Sequence, residues 1–190
     1  MRRDLRLEDN RALLSALNHA THDDRIAIVF IFDRNILGRL EQKSDRRVAF
    51  LHRELQAISV QLKSHGGTLL VGYGEPKTVW AEWMEKWESR GIKLKSVHVG
   101  RDYEPYAQQR DRTMVDFFSN REVLMKGVKD SVILEKNEVT KDDGKPYTVF
   151  TPYSRKWRKT LVTKDYAEVP SMDMAKKASW LEAPDHRIPS

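Results

Sequence analysis

The chain of 190 residues contains no cysteine. That absence excludes a disulfide framework, a thiolate zinc site and a cysteine nucleophile. Its nine glycines form neither the dinucleotide-binding pattern nor the phosphate-loop pattern, so ATP hydrolysis has no support. The six histidines have no acidic partner at metal-ligand spacing, and no serine lies in a nucleophile elbow. We therefore expect no metal site and no hydrolase of these kinds.

Long apolar runs are also absent. The longest, residues 26–32, is about as long as a buried strand and much shorter than the roughly 20 residues of a membrane-spanning helix. The N-terminal Met1-Arg2-Arg3-Asp4 is not followed by the apolar region of a secretory signal. Together with the lack of cysteine, these features predict a cytoplasmic protein with no membrane partner.

Charge is abundant and mixed in sign. The 34 Lys or Arg and 28 Asp or Glu give a net charge of +6. This excess is compatible with an anionic partner such as nucleic acid. Because the basic residues are scattered among acidic ones and no stretch forms a basic arm, we favour a solvated surface of mixed charge.

Helical and strand patterns alternate along the chain. Period-3.6 apolar patterns and continuous β-branched runs distinguish the two. Helices are predicted at residues 9–21, 44–65, 76–90, 105–119 and 152–162, and strands at residues 25–32, 68–71, 96–99 and 123–128. Trp80, Trp83 and Trp87 share one side of the third helix, where we interpret them as core rather than as a stacking platform for bases. The alternation predicts βαβ units with a parallel sheet.

The end of the chain has a different composition. Pro170, Pro184 and Pro189 interrupt residues 166–190 without a strong apolar period. Such a stretch is typical of a linker. We therefore predict one α/β domain at residues 1–165, followed by an interdomain linker at residues 166–190.

Two polar and aromatic groups follow predicted strands. Phe32-Asp33 ends the first of these strands, and residues 101–106 come directly after the strand at 96–99. Open α/β sheets bind ligands at the carboxyl ends of their strands. Aromatic rings with carboxylates suit a planar heterocycle, although Asp33, Asp102 and Glu104 are equally compatible with plain helix and turn caps.

Three stretches resemble the photolyase/cryptochrome family and occur in the family's order. They are Arg-Arg-Asp-Leu-Arg-Leu-Glu-Asp-Asn at residues 2–10, Arg-Asp-Tyr-Glu-Pro-Tyr at 101–106 with Arg110-Asp111, and residues 142–152 with Trp157. Together they span almost all of residues 2–162. The chain is therefore identified as a member of that family, matching its N-terminal α/β domain.

The resemblance implies a Rossmann-like, doubly wound, five-stranded parallel sheet that holds a light-harvesting antenna. In such proteins a separate helical domain, which this chain lacks, binds FAD and UV-damaged DNA, so this chain would hold no catalytic residue itself. The family also places an apolar strand directly before the Arg2-Arg3-Asp4 stretch. We therefore expect the first strand of the sheet to be missing here.

Carried over by the resemblance, the antenna crevice contains twelve residues. They are Arg3, Phe32, Asp33, Ile36, Leu37, Arg46, Arg47, Asp102, Tyr103, Glu104, Tyr106 and Arg110. Folate-binding members have Asn-Glu where this chain has Tyr106-Ala107. A deazaflavin or flavin antenna, or none, is therefore favoured over a reduced folate.

The resemblance implies a parent protein that repairs cyclobutane pyrimidine dimers in DNA with blue light, as a carbon–carbon lyase. The alternative within the family is a cryptochrome, a blue-light photoreceptor. An alternative of another class is a stand-alone nucleotide- or nucleic-acid-binding α/β module. For the photolyase we expect a monomer whose partner is its own C-terminal FAD domain.

Overall fold

The computed structural model describes residues 1–41 and 44–181. Helices and strands alternate through the first 128 residues, and helices follow. The helices are α1 (Arg11–His19), α2 (Arg34–Leu37), α3 (Arg46–Lys63), α4 (Pro76–Glu88), α5 (Pro105–Ser119), α6 (Phe150–Thr160), α7 (Thr163–Tyr166) and α8 (Ser171–Ala175). The strands are β1 (Ile28–Asp33), β2 (Leu69–Gly74), β3 (Ser96–Gly100) and β4 (Leu124–Val128).

Helix starts follow the local capping chemistry. The Asn10 side chain accepts a 2.8 Å hydrogen bond from the Leu13 N–H and so caps α1. Asp45, one residue after the predicted helix start at residue 44, caps α3 by accepting from the Arg47 N–H at 2.8 Å. Pro76 and Pro105 stand in the first turns of α4 and α5, where the missing N–H of proline costs no hydrogen bond. The predicted helices therefore begin within about two residues of their places.

The strands pair in parallel, as predicted. β1 pairs with β2 from Ile28↔Leu69 onward, and β3 pairs with β4 from Ser96↔Leu124 onward. β1 connects to β2 through α2 and α3, and β3 connects to β4 through α5, which gives the expected βαβ connections. In the described residues there are four strands in two separate pairs, so the predicted mixed α/β fold is present while a continuous five-stranded sheet is not.

A cleft of about 650 Å³ separates the two pairs and is lined by β1 and β3. At its end the Met1 α-amino group donates a 2.8 Å hydrogen bond to the Val29 carbonyl on β1. Arg2 donates at 3.5 Å to the carbonyl of Gly100 on β3. The N-terminal residues thus bridge the two pairs, and no strand lies between β1 and β3 within the described chain.

Two apolar clusters form the core. One packs α1 and α3 against β1 and β2, with Leu55 and Leu62 almost fully buried. The other packs α4 and α5 against β3, and there Trp80 meets Phe118 edge-on at 5.1 Å between ring centroids. Trp83 is 8% exposed. The interpretation of the tryptophan face as core is confirmed.

Part of the predicted linker, within residues 166–181, packs against the domain. The division into a domain and an interdomain linker stays a prediction. The Ser171 hydroxyl, fully buried, donates to the Leu7 carbonyl at 2.6 Å and accepts from the Asn10 N–H at 2.9 Å. Trp180 lies in the first apolar cluster and bridges to Ile26. These apolar and polar contacts hold this part of the chain against the domain, although its prolines are typical of a linker. The rest of the predicted linker, residues 182–190, lies outside the described residues.

Among the described helices, none is both long and apolar enough to cross a membrane.

Candidate functional site

Tyr106 joins the two strand-end groups predicted from the sequence. Its hydroxyl donates a 2.7 Å hydrogen bond to Asp33 Oδ2, which links the first turn of α5 to the end of β1. Asp33 is buried, and its other oxygen accepts from the Asn35 N–H at 2.9 Å as the cap of α2. Asp33 therefore serves both as a cap and as an acceptor at the strand end.

Two guanidinium groups flank the Tyr106 ring. The Arg39 and Arg110 guanidinium carbons lie 5.2 and 6.0 Å from the ring centroid. Burial, followed by the hydrogen bond to Asp33, raises the pKa of the Tyr106 phenol, so the hydroxyl stays a donor at neutral pH. One Arg110 nitrogen, Nη2, is buried and has no hydrogen-bond partner among the described residues. Arg110 lines a cavity of about 80 Å³, which has room for water but not for a ring system.

Arg3 forms ion pairs with both of the predicted carboxylates that follow β3, Asp102 and Glu104. Its Nε lies 3.1 Å from Asp102 Oδ2, and its Nη2 lies 2.5 Å from Glu104 Oε1. The hydrogen bond to Glu104 is the largest cause that raises the pKa of Arg3. Because the Arg3 side chain is 57% exposed, we expect this ion-pair group to position the loop rather than to stabilise the fold strongly.

Tyr103 points away from Tyr106, into a cleft of about 540 Å³ beside α5 and β4. Its hydroxyl donates to Glu135 Oε1 at 2.7 Å, and Arg101 Nη1 forms an ion pair with Glu135 Oε2 at 2.6 Å. Burial first, and then Glu135, raise the pKa of the Tyr103 phenol. The volume suits a planar heterocycle. Glu135 is not predicted from the sequence because it lies in an irregular loop without any pattern.

The remaining predicted residues do not join these groups. Phe32 is buried in the core, and Leu37 packs against the same cluster. Ile36 is about half exposed. Arg47 forms an ion pair with the cap residue Asp45 at 2.7 Å, and no hydrogen bond or ion pair in the described chain links Arg46 to the strand-end groups. The described residues contain no metal-binding cluster.

Comparison with known proteins adds sequence relatives. The DNA photolyase family matches residues 1–173. An uncharacterized 31.6 kDa protein in the atpI 5′ region of Synechococcus sp. (strain PCC 6716) is 34% identical over 82% of this chain and 52% of its own length. The deoxyribodipyrimidine photo-lyase of Halobacterium salinarum is 31% identical over 83% of this chain and 32% of its own length. The chain thus spans about half to a third of the relatives that it matches.

Two solved structures share the fold. A class III photolyase from Agrobacterium tumefaciens aligns with a TM-score of 0.75 and 22% identity, covering 99% of this chain and 36% of that one. An archaeal photolyase from Sulfolobus tokodaii aligns with a TM-score of 0.62 and 30% identity, covering 72% of this chain and 29% of that one. The resemblance of the three motifs is confirmed by these matches, and the chain belongs to the DNA photolyase family.

Proposed function

We propose that this chain is the antenna-binding α/β domain of a deoxyribodipyrimidine photolyase. The observation that carries the proposal is the family match over residues 1–173, supported by relatives that are themselves deoxyribodipyrimidine photo-lyases. In a protein of the relatives' length, a further domain would hold FAD and the damaged DNA. A bound antenna would supply absorbed light energy to that FAD. No bond would be made or broken by this chain itself.

The antenna would lie at the carboxyl ends of β1 and β3. There Tyr106 and Asp33 supply a hydroxyl and a carboxylate, and Arg39 and Arg110 supply guanidinium donors. Guanidinium and hydroxyl donors suit the carbonyl and ring-nitrogen acceptors of a heterocycle such as a flavin or deazaflavin. The structure of the Sulfolobus tokodaii relative is described as containing two FAD molecules, with the implication of a novel light-harvesting cofactor, which favours FAD as the first probe.

A matched pair of tyrosines tests the location. Tyr106→Phe removes the hydroxyl that meets Asp33, and Tyr103→Phe removes the hydroxyl that meets Glu135 in the 540 Å³ cleft. In a titration of the chain with FAD, followed by flavin fluorescence, we expect Tyr106→Phe to weaken binding about tenfold, or about 1.4 kcal/mol, through loss of the hydroxyl and a freed Asp33 carboxylate. Tyr103→Phe should bind as the original chain does.

Weaker FAD binding in Tyr103→Phe with unchanged binding in Tyr106→Phe would indicate that the ligand lies in the 540 Å³ cleft, and it would contradict a site at Tyr106. Thermal unfolding of both variants serves as the control, since each loses one hydroxyl from a partly buried tyrosine.

The parent protein's activity separates the two members of the family. A photolyase removes cyclobutane dimers from ultraviolet-irradiated plasmid in the light, whereas a cryptochrome leaves them in place. We expect light-dependent loss of dimers with the parent protein. The monomeric state and the cytoplasmic location stay predictions.

A further inference from the structure

The positive charge of the chain is concentrated in one segment. Residues 144–164, named here the cationic segment, contain six Lys or Arg and neither Asp nor Glu. That number equals the net charge of the whole chain, +6. The long helices α3, α4 and α5 each carry both signs. The even mixture that the whole-chain composition suggests therefore does not hold in this segment.

The cationic segment surrounds α6, which lies against no other helix or strand of the described chain. None of the residues of α6 is buried. Phe150 is 77% exposed. Tyr153, in the first turn of the helix, is 36% exposed, and its ring meets that of Tyr147 edge-on at 6.2 Å between centroids. An exposed ring and a partly exposed one beside cations indicate a surface that meets a partner.

Most of the cations in the segment lack an internal partner. Lys145 lies 3.6 Å from Asp143, and Lys156 lies 3.3 Å from Asp142. Within residues 1–41 and 44–181, no carboxylate lies at ion-pair distance from the remaining four cations. Those four are Arg155, Arg158, Lys159 and Lys164.

Three cations stand close together on α6, two of them in its last turn, where the helix dipole favours positive charge. Arg155 stands three residues before Arg158 and four before Lys159, so the three like charges are neighbours on one side of the helix. Like charges at these spacings destabilise a helix. A polyanionic partner would offset that repulsion.

We propose that the cationic segment binds single-stranded nucleic acid. Arg155, Arg158 and Lys159 would contact phosphates, and Phe150 and Tyr153 would stack on bases. Aromatic rings interleaved with arginine favour this partner over an acidic protein surface or a lipid headgroup layer, because bases offer both phosphate charge and flat faces. This inference goes beyond the proposed function, since it gives the chain a direct contact with nucleic acid and does not depend on an antenna.

Two triple variants of equal charge test the proposal. Arg155→Gln/Arg158→Gln/Lys159→Gln removes the α6 cations, and the control removes three exposed cations of α3 and α4 through Arg53→Gln/Lys63→Gln/Lys77→Gln. Fluorescence anisotropy measures binding of a labelled DNA single strand of about 20 nucleotides over a salt series. We expect the α6 variant to bind about tenfold more weakly, with a salt slope lower by about 2, and the control to match the original chain.

Three results would overturn the proposal. One is equal loss of binding in both variants, which would mean attraction by net charge alone. Another is an α6 variant that keeps the original affinity. The third is a chain that ignores the oligonucleotide and binds vesicles containing phosphatidylserine, which would point to a membrane surface. Failure here leaves the FAD titration of the tyrosine pair unaffected, so the two proposals fail separately.

Discussion

Phe118 and Phe150 are the same side chain in two different settings. Phe118 on α5 is 1% exposed and meets Trp80 and Phe117 edge-on. Phe150 on α6 is 77% exposed. The arginines differ in the same way, since Arg2, Arg3 and Arg101 hold carboxylates in the domain body. In the cationic segment, Arg155 and Arg158 have no such partner in the described chain.

The contrast separates side chains that stabilise the fold from side chains that are available to bind a partner. Buried rings and paired arginines position the strand ends, where their contacts are already used. Exposed rings and unpaired arginines contribute little to folding, so their contacts remain available to a partner. Substitutions should therefore affect stability in the domain body and binding in the cationic segment.

The largest effect expected comes from the two phenylalanines themselves. Phe118→Ala should lower the free energy of unfolding by about 3–5 kcal/mol, because it leaves a cavity among packed aromatic rings. Phe150→Ala should change it by less than about 0.5 kcal/mol, because that ring is mostly in water. Urea denaturation of both variants measures the difference. If both variants lost a similar free energy of unfolding, Phe150 would be packed in the folded chain, and the contrast between α5 and α6 would be wrong.

A second pair of aromatic residues, Trp180 and Tyr166, tests which C-terminal residues belong to the packed domain. Trp180 is 8% exposed within the apolar cluster, whereas Tyr166 is 56% exposed. Trp180→Ala should cost about 3 kcal/mol or more, and Tyr166→Ala less than about 0.5 kcal/mol. Thermal unfolding monitored by circular dichroism checks both. A neutral Trp180→Ala would support the linker interpretation of this part of the chain.

The smallest effect concerns a histidine in the domain body. His98 on β3 is hydrogen-bonded to Ser15 and Ser96, at 3.0 and 3.2 Å. Burial first, and then His19 and Lys126, lower the pKa of His98 to about 4. Between pH of about 6.5 and about 4 the unfolded chain binds a proton that the folded chain does not, so the free energy of unfolding falls as the pH drops through that range. Above it the contribution of His98 is fully present.

We expect His98→Gln to flatten this part of the pH–stability curve, measured by denaturant unfolding at several pH values. His22→Gln is the control, because its side chain is 89% exposed and lies outside the packed body. An unchanged slope in His98→Gln would contradict the assignment.

Local structure follows closely from the sequence, because it depends on local chemistry. Apolar periodicity places the five predicted helices within about two residues of their observed bounds, and the caps at Asn10 and Asp45 fix two of the starts. Parallel pairing also follows from the alternation of strands and helices. The division into two strand pairs does not, because pairing joins residues far apart in the chain and a pattern along one strand does not report its neighbour.

The contacts between side chains at the strand ends were predictable in part. Asp33 and Tyr106 meet as expected for carboxyl ends of parallel strands, and Arg3 meets Asp102. Arg39, which flanks Tyr106, has no local signal. The packing of Trp180 could not be predicted, because the prolines in this part of the sequence indicate a linker.

The concentration of charge in the cationic segment is visible in the sequence itself. Counts over the whole chain average it away.

The most direct test of the antenna proposal is the absorption spectrum of the parent protein purified from its native source, followed by release and counting of its chromophores. We expect two chromophores for each polypeptide, FAD and an antenna. When the variants are introduced into the parent protein in the same source, the amount of bound antenna should fall in Tyr106→Phe and stay unchanged in Tyr103→Phe. A single FAD for each polypeptide, with no second absorbing group, would contradict the assignment of the strand ends as an antenna site.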